Sequence, residues 1–137
     1  MIGIDTNILV RYLFSDDEAQ HQLACRTIDA LTPVEQGYIS LPVLLETIWL
    51  LRRTYHVGRE SVRQAIAALV RSPQLLIHEA DAINEALDLA ASADHDLPDV
   101  IITVLGRRAG CGTTVTFDKA AARLPGMKLL VAAPESS

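Results

Sequence analysis

Four carboxylates in this 137-residue chain, Asp5, Glu46, Asp99 and Asp118, stand where they could share one divalent cation. Asp5 closes a short apolar stretch that starts at Ile2, and Asp118 closes the alternating run Thr113 to Phe117. Glu46 and Asp99 come shortly after Pro42 and Pro98, residues suited to the first turn of a helix. Carboxylates packed together repel: at about 4 Å and an effective dielectric near 20, a pair costs roughly 4 kcal/mol. A hard divalent cation with oxygen ligands, Mg²⁺ or Mn²⁺, reverses that sign, and no Cys/His set here would select zinc. One or two such ions suit hydrolysis of a phosphodiester by in-line displacement. A single Asp after a strand is more often a helix cap than a ligand, so spacing alone leaves the metal role open for each acid.

The elements that must position these groups can be read from apolar period and punctuation. Ile2 to Asp5 reads as a first strand, and the capping sequence Asp5-Thr6-Asn7 precedes a helix over Ile8 to Phe14. Asp16, Asp17 and Glu18 would open a second helix reaching Leu31, favouring its N-terminal dipole. Gly37 to Leu41 reads as a buried strand, followed by a helix from Pro42 to about Tyr55 with Glu46 one turn inside. That helix is apolar nearly all round, which implies burial on two sides or a partner. Arg59 to Val70 predicts another helix, Leu75 to His78 a strand, and Asp81 to Ala93 a helix. Pro98 opens a helix over Asp99 to Ala109, which Gly110 and Gly112 close. Thr113 to Phe117, a short helix over Lys119 to Leu124, and a strand over Lys128 to Val131 complete the chain. Strands alternating with helices predict an α/β fold, a three-layer α/β/α sandwich with a central, mostly parallel sheet and its ligand site beyond the strand C-termini. One domain over residues 1–131 and a frayed tail over 132–137 are expected.

Asp5-Thr6-Asn7, Glu46 in Leu-Leu-Glu-Thr-Ile-Trp, Asp99 in Pro-Asp-Val-Ile-Ile, and Thr116-Phe117-Asp118 together resemble the PIN-domain family, particularly its VapC-type toxins of toxin-antitoxin pairs. The likeness runs along nearly the whole chain. It implies a PIN-like sandwich and a Mg²⁺- or Mn²⁺-dependent ribonuclease that leaves a 5′-phosphate and a 3′-hydroxyl. Matched position by position, Asp5, Glu46 and Asp99 take the family's principal metal-binding places and Asp118 the fourth, directly, through water or at a second ion. Thr6, Thr116 and Asn7 take supporting places, Asn7 as the capping polar residue. The resemblance further implies an RNA substrate, a cognate antitoxin lying along the groove, and a homodimer.

One departure stands out: the residues before the third acid are Leu97-Pro98, where the family commonly has Ala, and Asp94 and Asp96 lie close by. Asp96 is expected to cap the helix rather than to bind metal, and His95 to be an exposed loop residue. Arg11, Arg52, Arg53, Arg107, Arg108 and Lys119 lie near these acids in sequence and could meet phosphates; Arg11, beyond Asp5 on the same helix, is the best candidate, and most of the others read as solvated cations.

The net charge of −5 argues against nucleic acid only at first sight. Setting the four candidate acids aside from the 17 leaves 13, against 12 Lys and Arg. Cys25 and Cys111, far apart and without metal spacing, suit a reduced, cytoplasmic setting and are expected to be buried. No signal peptide or membrane span is expected. Four other classes fit less well. A housekeeping PIN nuclease would keep the same chemistry, and a binding-only PIN module conflicts with the presence of all four acids. A haloacid-dehalogenase-type phosphatase would need an acid where Asn7 stands, and a receiver domain would need an acidic pair at the first strand.

Overall fold

The computed structural model describes residues 1–133. Its order is β1 (Ile2–Gly3), α1 (Thr6–Leu13), α2 (Glu18–Asp29), β2 (Gly37–Ile39), α3 (Leu41–Arg53), α4 (Arg59–Arg71) and β3 (Leu75–Ile77). Then come α5 (Ala80–Ala93), α6 (Leu97–Arg108), β4 (Thr114–Thr116), a 3-10 turn (Ala121–Arg123) and β5 (Met127–Leu129). All strand pairings are parallel, as alternating strands and helices require, but the ladder comes in two pieces, β1-β2-β3 and β4-β5. Strands of two or three residues make few ladder hydrogen bonds, so packing of helices has to hold the sheet together. The expected frayed tail lies mostly outside the described residues; Ala132 and Ala133 are exposed.

Side-chain chemistry sets the helix ends. Asp17 caps α2 by accepting from Gln20 N at 3.1 Å, as the acidic run predicts. Ser40 caps α3 through Val43 N, which ends β2 two residues earlier than the apolar run suggests. α3 is buried on the face carrying Leu44, Thr47, Ile48 and Leu51, and it packs against α1, α4 and α6. Its apolar circumference is thereby mostly explained by core burial.

β2 is central to the first sheet, and Gly37 opens it where space is tightest. A Cβ there would meet Leu31 Cδ1 at 2.7 Å, Ile4 Cγ1 at 3.1 Å and Leu75 Cδ2 at 3.2 Å. The two flanking strands and the α2 exit can close on β2 only because that side chain is missing. Cys111 departs from expectation: it is exposed, in the surface turn that Gly110 starts with a φ of +100°, while Cys25 is half-buried with Sγ 3.5 Å from His21 Nε2.

Gly37→Ala is therefore expected to lower the unfolding free energy by about 1–3 kcal/mol through overpacking. Gly3→Ala, with nothing within 4 Å of the new carbon, should change it little. Urea denaturation of both variants checks this; equal effects would contradict the close approach at β2.

Candidate active site

α6 and α3 frame the site. Asp99 lies in the first turn of α6, whose early backbone N–H groups favour negative charge. Four residues further on, Thr103 donates its hydroxyl to the Asp99 carbonyl at 3.0 Å, and a second step brings Gly106. A Cβ at Gly106 would lie 2.8 Å from Thr114 Oγ1, so the missing side chain lets β4 lean directly on α6. That contact carries Asp118 toward Asp99.

Asp118 is fixed by its surroundings. Its backbone N donates to Thr116 Oγ1 at 3.0 Å, and its Oδ1 accepts from Ala120 N at 2.8 Å and Ala121 N at 3.1 Å. The Thr116 hydroxyl thus holds the bend in which Asp118 sits. Asp5 is held in a similar way, capping α1 through Oδ1 and Thr6 N at 2.8 Å. Thr6 is buried beneath it, whereas Asn7 is exposed; the capping part that the resemblance gives Asn7 belongs to Asp5.

Asp99 and Asp118 line one cleft of about 330 Å³ together with Asp96 and Pro98. Its other wall is α3, through Ile48, Trp49, Arg52 and Arg53. Burial, then the neighbouring charge of Asp118 and of Asp96, raise the Asp99 carboxyl above its ordinary range, with His95 and Arg59 opposing. Glu46 is exposed one turn before Trp49 on α3, and Asp5 is exposed at the end of β1; neither lines this cleft. Among the described residues, no three His, Cys, Asp or Glu side chains are grouped closely enough to hold a metal ion.

The donor chemistry nonetheless suits Mg²⁺ or Mn²⁺. Two carboxylates line the same space, one with its ionised form disfavoured by burial and then by the charge of the other, and every donor is a hard oxygen. A cation there would relieve the repulsion.

Asp96 does not do what local spacing predicts. It occupies the N-cap position of α6 without a side-chain cap bond, because two arginines claim it. Its Oδ1 accepts from Arg59 Nε at 2.8 Å and from Arg52 Nη2 at 3.4 Å. Arg59 also donates to the Asp94 carbonyl at 3.0 Å, and Arg52 to the Val57 carbonyl at 2.9 Å. This network ties the α5–α6 loop to α3 and α4 at the head of the site. Burial pushes the Asp96 carboxyl up, but its bonds and charge interactions with Arg59 and Arg52 outweigh that and leave it below the ordinary range. His95 is half-buried in the same loop rather than exposed.

Arg11 is engaged within the protein. Its guanidinium pairs with Asp16 and donates to Gln20 Oε1 at 2.7 Å and to the Tyr55 hydroxyl at 3.2 Å, joining α1 to α2 and to the end of α3. The cleft's own cations are Arg52 and Arg53, which the sequence reading places among solvated arginines. Counting from Glu46 along α3, Trp49 at i+3 and Arg53 at i+7 fall on one helical face, a signal that could have found them.

Comparison with known proteins decides the family. The PIN domain model matches residues 2–127. The chain belongs to the PIN-domain family. No curated protein matches it. Among solved structures, the crystal structure of Mycobacterium tuberculosis VapC20, described as a sarcin-ricin loop cleaving toxin, is similar at 24% identity and a TM-score of 0.45. It covers 89% of this chain and 93% of that one. Within this PIN domain the α/β sandwich and its parallel strands are as expected, and among the described residues no helix is long and apolar enough to cross a membrane.

The Asp96 network sets a pH-dependent prediction. A carboxyl whose pKa falls on folding stabilises the fold above its unfolded value, about 4, and that contribution disappears as pH drops through the lower folded value. Arg59→Ala should thus cost up to about 1 kcal/mol at neutral pH, since the pair is partly exposed. The deficit should shrink in acid below that window. Urea denaturation at both pH values measures it; a deficit undiminished in acid would rule out the ion pair as its source.

Proposed function

We propose that this PIN domain is a Mg²⁺- or Mn²⁺-dependent endoribonuclease of the VapC type, the toxin of a toxin-antitoxin pair, cleaving a structured cellular RNA. The observation that carries this reading is the Asp99–Asp118 cleft, where two carboxylates share a space and one resists ionising. Membership of the family supports nuclease activity, and the Asp-Thr-Asn and Thr-Phe-Asp motifs support the toxin type. A homodimer and a cognate antitoxin seated along the cleft belong to the same proposal.

Asp5, Glu46, Asp99 and Asp118 would hold the cation. Glu46 has the freedom of an exposed side chain on the α3 wall, while Asp99 and Asp118 already face the cleft. When bound, such a cation supplies Lewis acidity toward a phosphate oxygen and the attacking water. The chain's own part is positional. Asp118, held by Thr116 and by the backbone leading into the 3-10 turn through its Oδ1, keeps its Oδ2 without a protein hydrogen bond among the described residues. Asp99, in a first helical turn, offers a carboxylate whose negative charge a cation stabilises. Arg52 and Arg53 stand across the cleft from these acids, where a phosphate's charge would be met.

Asp5→Asn and Asp99→Asn should each reduce RNA cleavage by at least about a hundredfold, more than loss of an outer partner of a metal ligand typically costs. Both should remain folded, and Asp99→Asn should melt at or above the parent's temperature in EDTA because it removes a repelling charge. Cleavage is read by sequencing new 5′-phosphate ends in total RNA incubated with Mn²⁺. Full activity in both variants would overturn the proposed site, and cleavage undiminished by EDTA would overturn metal dependence.

A further inference from the structure

The α3 wall of the cleft carries two side chains that neither the fold nor the four acids account for. Trp49 keeps 52% of its surface exposed although it is the largest side chain on a helix whose other face is fully buried. Arg53 lies one turn on, its guanidinium carbon 5.8 Å from the indole centroid. Arg52 is committed to Asp96 and to the Val57 carbonyl, but Arg53 has no carboxylate partner among the described residues. An exposed indole, with the Arg53 guanidinium lying over its ring and free of any carboxylate among the described residues, thus lines one cleft with Asp99 and Asp118. Phe117 is more exposed still, at 83%, but does not line the cleft.

Those two groups are complementary to one nucleotide. An indole offers a flat apolar face on which any base can stack, and an unpaired guanidinium meets the adjoining phosphate. The cleft, near the lower end of the size of small-ligand sites, has room for a single nucleotide unit. A base can reach the indole only if it is unstacked from its own neighbours, which duplex RNA does not permit. We propose that Trp49 and Arg53 form a clamp for one unpaired nucleotide beside the scissile phosphate, the indole taking the base and the guanidinium the phosphate. The clamp rests on the nuclease reading for its place in catalysis, though its binding can be measured without cleavage. Trp49 and Arg53 are positioning residues; bond breaking remains with the acids opposite.

Trp49 is the chain's single tryptophan, which makes it its own reporter. The Asp5→Asn variant, with Mg²⁺ present, is titrated with a short single-stranded RNA of mixed sequence and, separately, with the same strand annealed to its complement. Indole emission and the anisotropy of a label on the RNA are followed together. The clamp predicts a saturable change in emission with the single strand, tracking the anisotropy, and none with the duplex. Trp49→Ala should weaken single-strand binding by about tenfold or more, with Trp49→Phe retaining most of it and Arg53→Ala reducing it and its salt dependence. Binding with unchanged emission, equal binding by Trp49→Ala, or no binding of the single strand would overturn the clamp. The first two results would leave the aromatic face to a protein partner. Failure of the parent chain to cleave RNA, with the emission change intact, would instead overturn the nuclease reading alone.

Discussion

Carboxylates brought together without a counter-charge push one another apart, and this fold has to hold them against that push. Asp99 is fixed by a helix start and Asp118 by a bend whose hydrogen bonds come from Thr116, Ala120 and Ala121. Both elements meet because α6 is narrow at Gly106, where β4 approaches closely enough to leave no space for a methyl group. The Arg59 and Arg52 bonds to Asp96 then anchor the loop that starts α6 and offset one of the nearby negative charges. Apolar burial along α3, α4, α5 and α6 supplies the stability from which the repulsion is met. A cation would turn the same arrangement from a cost into an attraction.

The cleft has unlike walls. On one side stand Asp96, Asp99 and Asp118; on the other, Trp49, Arg52 and Arg53 stand near the C-terminal end of α3, where the helix dipole favours cations. A polyanion approaching an acidic site needs such a wall, since the carboxylates opposite repel it. The overall negative charge therefore says little about whether nucleic acid can enter, because the local distribution decides it.

Much of this was legible along the chain because local rules wrote it. An apolar run ending in an acid marks a strand leaving the sheet, and Pro42 and Pro98 mark helix starts, so Glu46 and Asp99 could be placed to within a turn. Asp17 behaves as its neighbours imply. Asp96 did not, because its arginine partners are 37 and 44 residues away and tertiary charge pairing prevailed over local capping. Arg11 was drawn off by Asp16, Gln20 and Tyr55 for the same reason. Trp49 lies on a helix that is apolar nearly all round, and only the packing of α1, α4 and α6 shows which of that helix's residues are left outside.

Calorimetric titration of Mn²⁺ into the parent chain and into Asp99→Asn and Asp118→Asn tests the central claim most directly. Saturable binding by the parent that each substitution weakens or abolishes, with all three proteins folded, is the result expected of a carboxylate cleft built for a cation. Equal binding by all three, or none by the parent, would contradict it.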